Sequence, residues 1–188
     1  MASNIPSIRQ YTWESLPPQL LMIAIYSVIA HFLKLDDYLG FHGIFSNIMY
    51  GAFGQLIIWF IIRNIYAKHH AQGMELVRQE KYADAIPFFI DSYQTFSKHS
   101  WVDKYRYYLG SSSKISYKEM DLNNIAFCYG QIGDKEKSIE YYRQTLSEFP
   151  DSGIAKTALT LINTMTDNKQ IDDKLQHDEL LDNKSTNR

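Results

Sequence analysis

Cysteine is almost missing: Cys128 is the only one in 188 residues. That excludes an intrachain disulfide framework and any metal site built from several thiolates. Proline is scarce, with none between Pro18 and Pro87, so no proline interrupts a helix anywhere in that stretch. Charge of either sign is in short supply overall. The formal net charge is −2 and there is no basic stripe, which argues against a nucleic-acid partner. Phosphate-binding glycine loops and nucleophile-elbow motifs are absent. His42 and the His69-His70 pair lack ligand spacing to carboxylates or thiols, and read as polar residues of an interface. Asp36-Asp37 reads as a solvated turn, and Cys128, on a helix face turned to a neighbour, as a buried structural thiol. These absences point to a protein that is not an enzyme and carries no cofactor or metal.

The gaps in charge are more informative. Nineteen residues between Glu14 and Lys34, and 25 between Asp37 and Arg63, contain no Lys, Arg, Asp or Glu. A helix of ~20 mostly apolar residues crosses a ~30 Å hydrocarbon layer. The pattern predicts two transmembrane helices, at about 16–33 and 44–62, joined by a short loop into a hairpin over 16–66 and preceded by an N-terminal segment, 1–15. Pro17 and Pro18 suit a helix start. Tyr11, Trp13 and Tyr66 flank the spans as interfacial rings do. Arg9, Arg63 and Lys68 outnumber the lone Lys34 of the connecting loop, so the positive-inside rule predicts cytoplasmic termini. The compact hairpin and single cysteine suggest a bacterial inner membrane. His31, Asn47 and Gln55 are polar intruders, read as hydrogen-bonding between the two helices beside the small Gly51 and Gly54. With no proline between Pro18 and Pro87, the second span is expected to run unbroken into the next helix, a rod from about Ile44 to Arg78. Gly51, Gly54 and Gly73 are its weak points.

From residue 67 the pattern becomes amphipathic helices. In Asp121–Asp151, DLNNIAFCYGQIGDKEKSIEYYRQTLSEFPD, small residues stand where two helices would cross, at Ala126 and Ser138. Tyr129 and Tyr142 fill the space beside them. Gly133 sits at the turn, Asp134 can cap the second helix, and Pro150 ends it. Ser116 and Glu119 form an S-x-x-E capping box ahead of the first helix. The segment resembles a tetratricopeptide repeat, whose ~34-residue pattern falls here on Leu122, Ile125, Ala126, Tyr129, Ser138, Tyr142, Thr145 and Pro150. A looser match is AQGMELVRQEKYADAIPFFIDSYQTF, Ala71–Phe96, with Gly73, Ala85, Phe89 and Ser92 in the small, small, aromatic and small places. Pro87 is expected in the first turn of its second helix.

The resemblance implies an all-α fold: a short array of helix–turn–helix repeats over 67–166, with repeats at about 67–96 and 119–151 and a capping helix at 153–166. Gly73 and Ala126 are 53 residues apart, so an insertion of ~19 residues beyond the repeat length separates the units, within 97–118. It is read as an extended or short extra helix, with a β-ribbon as the alternative, and Gly110 with its three serines reads as a linker. The tail 167–188 is polar and reads as disordered.

In this family the inner face of the first helices binds a partner's peptide or helix. The resemblance places that groove on His70, Met74, Val77, Arg78, Asn123, Asn124, Phe127 and Gln131. The implied function is a membrane-anchored scaffold that recruits a protein at the cytoplasmic face, in contact with lipid. The alternative is a structural or assembly subunit whose spans carry the main contacts. Two repeats are few for a self-sufficient array, so a second copy of the chain is also a candidate partner.

Overall fold

The structure, a computed structural model, describes residues 13–35 and 44–166. Arg9, Tyr11, Asp36, Asp37, His42 and the tail 167–188 lie outside the described residues. Among the described residues the secondary structure is helical, with no β-strand. A 3-10 turn, Trp13–Ser15, leads into α1, Leu16–Phe32. Then come α2, Ile44–Ile65; α3, Lys68–Arg78; α4, Tyr82–Lys98; α5, Ser100–Lys104; α6, Tyr117–Gln131; and α7, Lys135–Glu148. A last helix, α8, covers 153–166.

Two of these helices are long and apolar enough to cross a membrane: Trp13–Phe32 and Phe45–Ile65, with mean hydropathies of 1.4 and 1.5. They pack together as an antiparallel hairpin. A Cβ added to Gly51 would stand 2.2 Å from Ser27 Oγ and 2.4 Å from the Ile23 carbonyl, and one added to Gly54 would touch the Tyr26 ring at 3.4 Å. The glycines therefore set the helix separation. The outward faces remain uncovered: Phe32 is 79% exposed, Phe45 85% and Phe60 63%. Apolar exposure on this scale marks a surface that meets lipid or another protein.

The rod expected from Ile44 to Arg78 is broken, and at none of the three glycines. Helix α2 ends at Ile65, and the N–H groups of Tyr66 and Ala67 both reach the Ile62 carbonyl, at 2.9 and 3.3 Å. Tertiary packing supplies the cause. Ala67 is buried in a cluster with Phe96 and Val102, while the Tyr66 ring meets His99 and Trp101 edge-on. An unbroken helix would turn these side chains away from the cluster.

Helices α3 and α4 form one antiparallel pair, α6 and α7 another, and α4 packs on α6. Close crossing is made possible by small residues. Gly73 lies against Phe89, Gly130 against Ser138, and Ala126 against Tyr142 and Ala155 of α8. Phe89, Ala85, Ile86, Val77, Ile125 and Cys128 make the central core. Thr145 and Leu122 are wholly buried.

Local signals end the helices as their chemistry requires. Gly133 adopts φ +85° at the α6–α7 turn, Asp134 accepts the Lys137 N–H, and α7 stops before Pro150. The α3–α4 turn uses Glu80 at φ 59° instead of a glycine, a left-handed backbone that costs an L-residue roughly 1–2 kcal/mol. Pro87 is not in the first turn of α4: that helix begins at Tyr82, so Pro87 lies in the second. It deprives the Ala83 carbonyl of its helical donor, and both residues face solvent, where water can take the donor's place.

Candidate functional site

The residues expected to form a groove divide into two sets. Helices α3 and α6 meet where His70 Nδ1 lies 2.6 Å from Asp121 Oδ1 and Asn124 Nδ2 lies 3.5 Å from the Met74 sulfur. Asp121 is fully buried. Burial pushes its carboxyl above the usual range, opposed by the bond from His70. Ser92 lies near enough to favour its charge but outside hydrogen-bond geometry. The His70 ring is edge-on to Phe89 and Tyr117.

Three of the expected groove residues are therefore structural. His70 is the partner of a buried carboxylate, and Val77 belongs to the central core. Asn123 is 4% exposed, with its amide nitrogen on the Glu119 carbonyl at 2.9 Å and toward Ser152 Oγ at 3.5 Å. All three are turned inward because α4 and the segment before α8 close over the helix faces that carry them. Met74, Asn124 and Phe127 remain half-buried, with Phe127 edge-on to Tyr82 at 5.8 Å. Arg78 and Gln131 are exposed at the rim, and Arg78 is paired to Glu75 at 2.6 Å. What stays open is a narrow strip of one thioether, one amide and one ring, with polar ends.

The other organised surface lies at the insertion, and sequence reasoning missed the residues that make it. Asp103 is buried, and its carboxylate accepts the Tyr117 and Lys118 N–H groups at 2.9 and 3.3 Å. Ser116 accepts the Glu119 N–H at 3.2 Å, so three orphan donors at the start of α6 are satisfied. The Arg106 guanidinium donates to the carbonyls of Asp103, Ser113 and Lys114. These two side chains tie the 105–116 turn to α6.

That turn is fastened to the hairpin as well. Gln19 Nε2 of α1 donates to the Ser111 carbonyl at 3.4 Å, and Gln55 Nε2 of α2 to the Tyr108 carbonyl at 3.2 Å. Gln55 thus serves the insertion, not a bond between the two spans. Gly110, at φ +94°, lies so close to Trp59 that a Cβ would stand 3.0 Å from the indole. Glycine is required there for its backbone angle and for the space. Gly110–Ser113 is a docked turn and not a linker.

Between α2 and the insertion is a cavity of about 240 Å³. Trp59, Ile62 and Leu109 form apolar walls, and Arg63, Arg106, Tyr117, Ser111 and His70, the last bonded to Asp121 behind it, are its polar groups. Arg63 lies over the Trp59 ring at 5.1 Å, and the Tyr117 ring stacks on Phe96 at 4.5 Å. Elsewhere, Cys128 is buried and its thiol is pushed up to about 12 by burial. Among the described residues no three His, Cys, Asp or Glu side chains are grouped as a metal would need.

Fold and site together define an all-helical protein in which an apolar two-helix hairpin is bolted to a packed set of antiparallel helix pairs. No family model, curated protein or solved structure matches this chain.

Proposed function

We propose that this chain is a membrane-anchored, non-enzymatic helical-repeat adaptor of the tetratricopeptide kind, which holds a peptide or helix of a protein partner beside the membrane. The observation that carries it is the strip Met74–Asn124–Phe127, on the first helices of two successive pairs. It offers apolar contact flanked by amides, the mixture that suits an amphipathic helix. Arg78 and Gln131 at its ends would set direction. The hairpin supplies the anchor, and we place both termini in the cytoplasm of a bacterial inner-membrane protein. The basic residues Arg63, in the last turn of α2, and Lys68, at the start of α3, support that orientation.

The way the insertion is fastened fits such an anchor. At ~1.5 Å per residue α2 rises about 33 Å, and Gln55 lies about 15 Å short of its end. Gln55 is therefore near the middle of the span Phe45–Ile65, and the insertion rests beside the second half of α2, from that level out to Arg63. Irregular backbone persists at such depth only where its carbonyls are satisfied by protein. Gln19 and Gln55 meet that requirement.

A photoreactive residue at Phe127 in the intact chain, with crosslinks read by mass spectrometry in cells, tests the adaptor role. A single protein species should be captured, and Arg78→Glu with Asn124→Ala should remove it. Capture of lipid alone, or insensitivity to those substitutions, sinks the reading. The bare outer faces of the hairpin favour a second reading, a structural subunit that docks through its spans. Replacing both spans with unrelated ones would abolish function under that reading and leave capture at Phe127 intact under the first.

A further inference from the structure

We propose that the cavity between α2 and the insertion binds the headgroup of an anionic phospholipid, with Arg63 and Arg106 as the phosphate-binding cations. The inference rests on the hairpin lying in a membrane, as proposed above, and adds a specific ligand to it.

The charge inventory is the first argument. Residues 97–118 hold five basic side chains, Lys98, Lys104, Arg106, Lys114 and Lys118, against one acid, Asp103, in a chain of net charge −2. Asp103 is committed to the backbone N–H groups that begin α6. Arg106 spends its donors on neutral carbonyls, and among the described residues no carboxylate is paired with its charge. Arg63 rests on an indole face and has no ion-pair partner among the described residues. Two guanidinium groups with no ion-pair partner among the described residues line one small cavity, with His70, itself bonded to the buried Asp121, on a further wall. Guanidinium is the side chain best suited to phosphate oxygens.

Shape is the second argument. At about 240 Å³ the cavity is smaller than the ~300–1,000 Å³ of sites that swallow a whole organic ligand. It suits a headgroup whose chains lie outside. Trp59 and Ile62 continue onto the uncovered face of α2 formed by Leu56 and Phe60, the path the acyl chains would take. A soluble phosphate would use the cations and leave the apolar walls unfilled. Basic pockets at the cytoplasmic ends of spans are where anionic headgroups are held.

The test uses the full chain, purified in mild detergent, mixed with phosphatidylglycerol, phosphatidylcholine or inorganic phosphate, and read by native mass spectrometry. The expected result is one phosphatidylglycerol per chain, retained at collision energies that strip phosphatidylcholine. Arg63→Gln should lower the retained fraction about tenfold, and Arg63→Lys should keep most of it. Among the described residues the Arg63 side chain makes no hydrogen bond, only its contact with the Trp59 ring, so its loss leaves the structure standing. Lys135→Gln, on α7, should change nothing. Equal retention of the two lipids, no effect of Arg63→Gln, or retention of phosphate with no lipid preference overturns the proposal. A carbonate wash of membranes keeps the two ideas apart: a chain that washes off defeats the anchor, whereas one that stays but shows no lipid preference defeats only this site.

Discussion

Gly73→Ala sets two effects against each other, and the structure says which wins. In a helix interior the exchange normally stabilises by about 0.8–1 kcal/mol, because glycine has the larger backbone entropy to lose. Here the new methyl carbon would stand 2.8, 2.9 and 3.0 Å from three atoms of the Phe89 ring. That ring is fully buried and has His70 against it at 5.9 Å, so it cannot swing into solvent. Overpacking of this kind costs roughly 1–3 kcal/mol, and the balance is a loss of up to about 2 kcal/mol. For a domain of 60–100 residues each kcal/mol moves Tm by about 4–8 °C. Thermal unfolding of the intact chain in micelles, followed by near-UV circular dichroism, should therefore show a drop of several degrees. Phe89→Leu should be destabilising alone, yet together with Gly73→Ala cost less than the sum by about 1 kcal/mol, the coupling expected of residues in contact. A Gly73→Ala protein that melts higher than the parent, with no coupling to position 89, would refute the close crossing of α3 and α4.

At the paired turns, Glu80→Gly should be neutral or stabilise by up to about 1 kcal/mol, because it relieves a left-handed backbone, while Gly133→Ala should destabilise by about 1 kcal/mol; chemical denaturation checks both. The Cys128 thiol, at about 12 against an ordinary 9.0, has a thiolate population at pH 8 about a thousandfold below that of a free cysteine, so alkylation in the native state should be slower by at least that factor and become fast in denaturant. The same displacement makes stability fall as pH rises above 9, since the unfolded chain loses that proton first. Asp103→Ala should cost about 1–3 kcal/mol by leaving the Tyr117 and Lys118 N–H groups unpaired, and hydrogen exchange should rise over 100–118 more than in α7. Gly51→Val should push the two spans apart, since the Ile23 carbonyl cannot rotate away, and the increased separation is measurable by spin-label distances.

What was readable in advance was local. Two charge-free stretches mark the helices long enough to cross a membrane. Ser116, Gly133 and Asp134 announce helix ends because capping acts between residues at most a few apart. The small residues Gly73 and Ala126 announce crossings because no larger side chain fits. Other features carried no local signature. Gln19 and Ser111 are 92 residues apart, and Gln55 and Tyr108 are 53 apart. A glutamine in an apolar run looks the same whether it bonds to the neighbouring span or to a distant turn. Asp103 and Arg106 had no motif, since each works on backbone groups that any sequence presents. The break at Tyr66–Ala67 has no breaker residue, because its cause is the cluster around Phe96 and Val102.

The groove shows the same division. A family pattern assigns residues to a helix face by spacing alone, but whether a face is open depends on what lies across it. His70 and Asp121 illustrate the point. Leaving a carboxylate fully buried without a partner is costly, so once Asp121 is enclosed by α4, His70 is committed to it, and its ring lines the cavity beside the insertion and not the Met74–Asn124–Phe127 strip. The insertion applies the opposite logic at the other end of the domain. Arg106 is consumed by neutral carbonyls, which hold its position without cancelling its charge. A guanidinium fixed in that way, beside a second one stacked on Trp59, forms an anion-attracting corner whose geometry does not depend on the anion. The hairpin, the insertion and the start of α6 all converge there, so a headgroup bound at that corner would brace the hairpin against the helix pairs and hold the Met74–Asn124–Phe127 strip at a set distance from the bilayer.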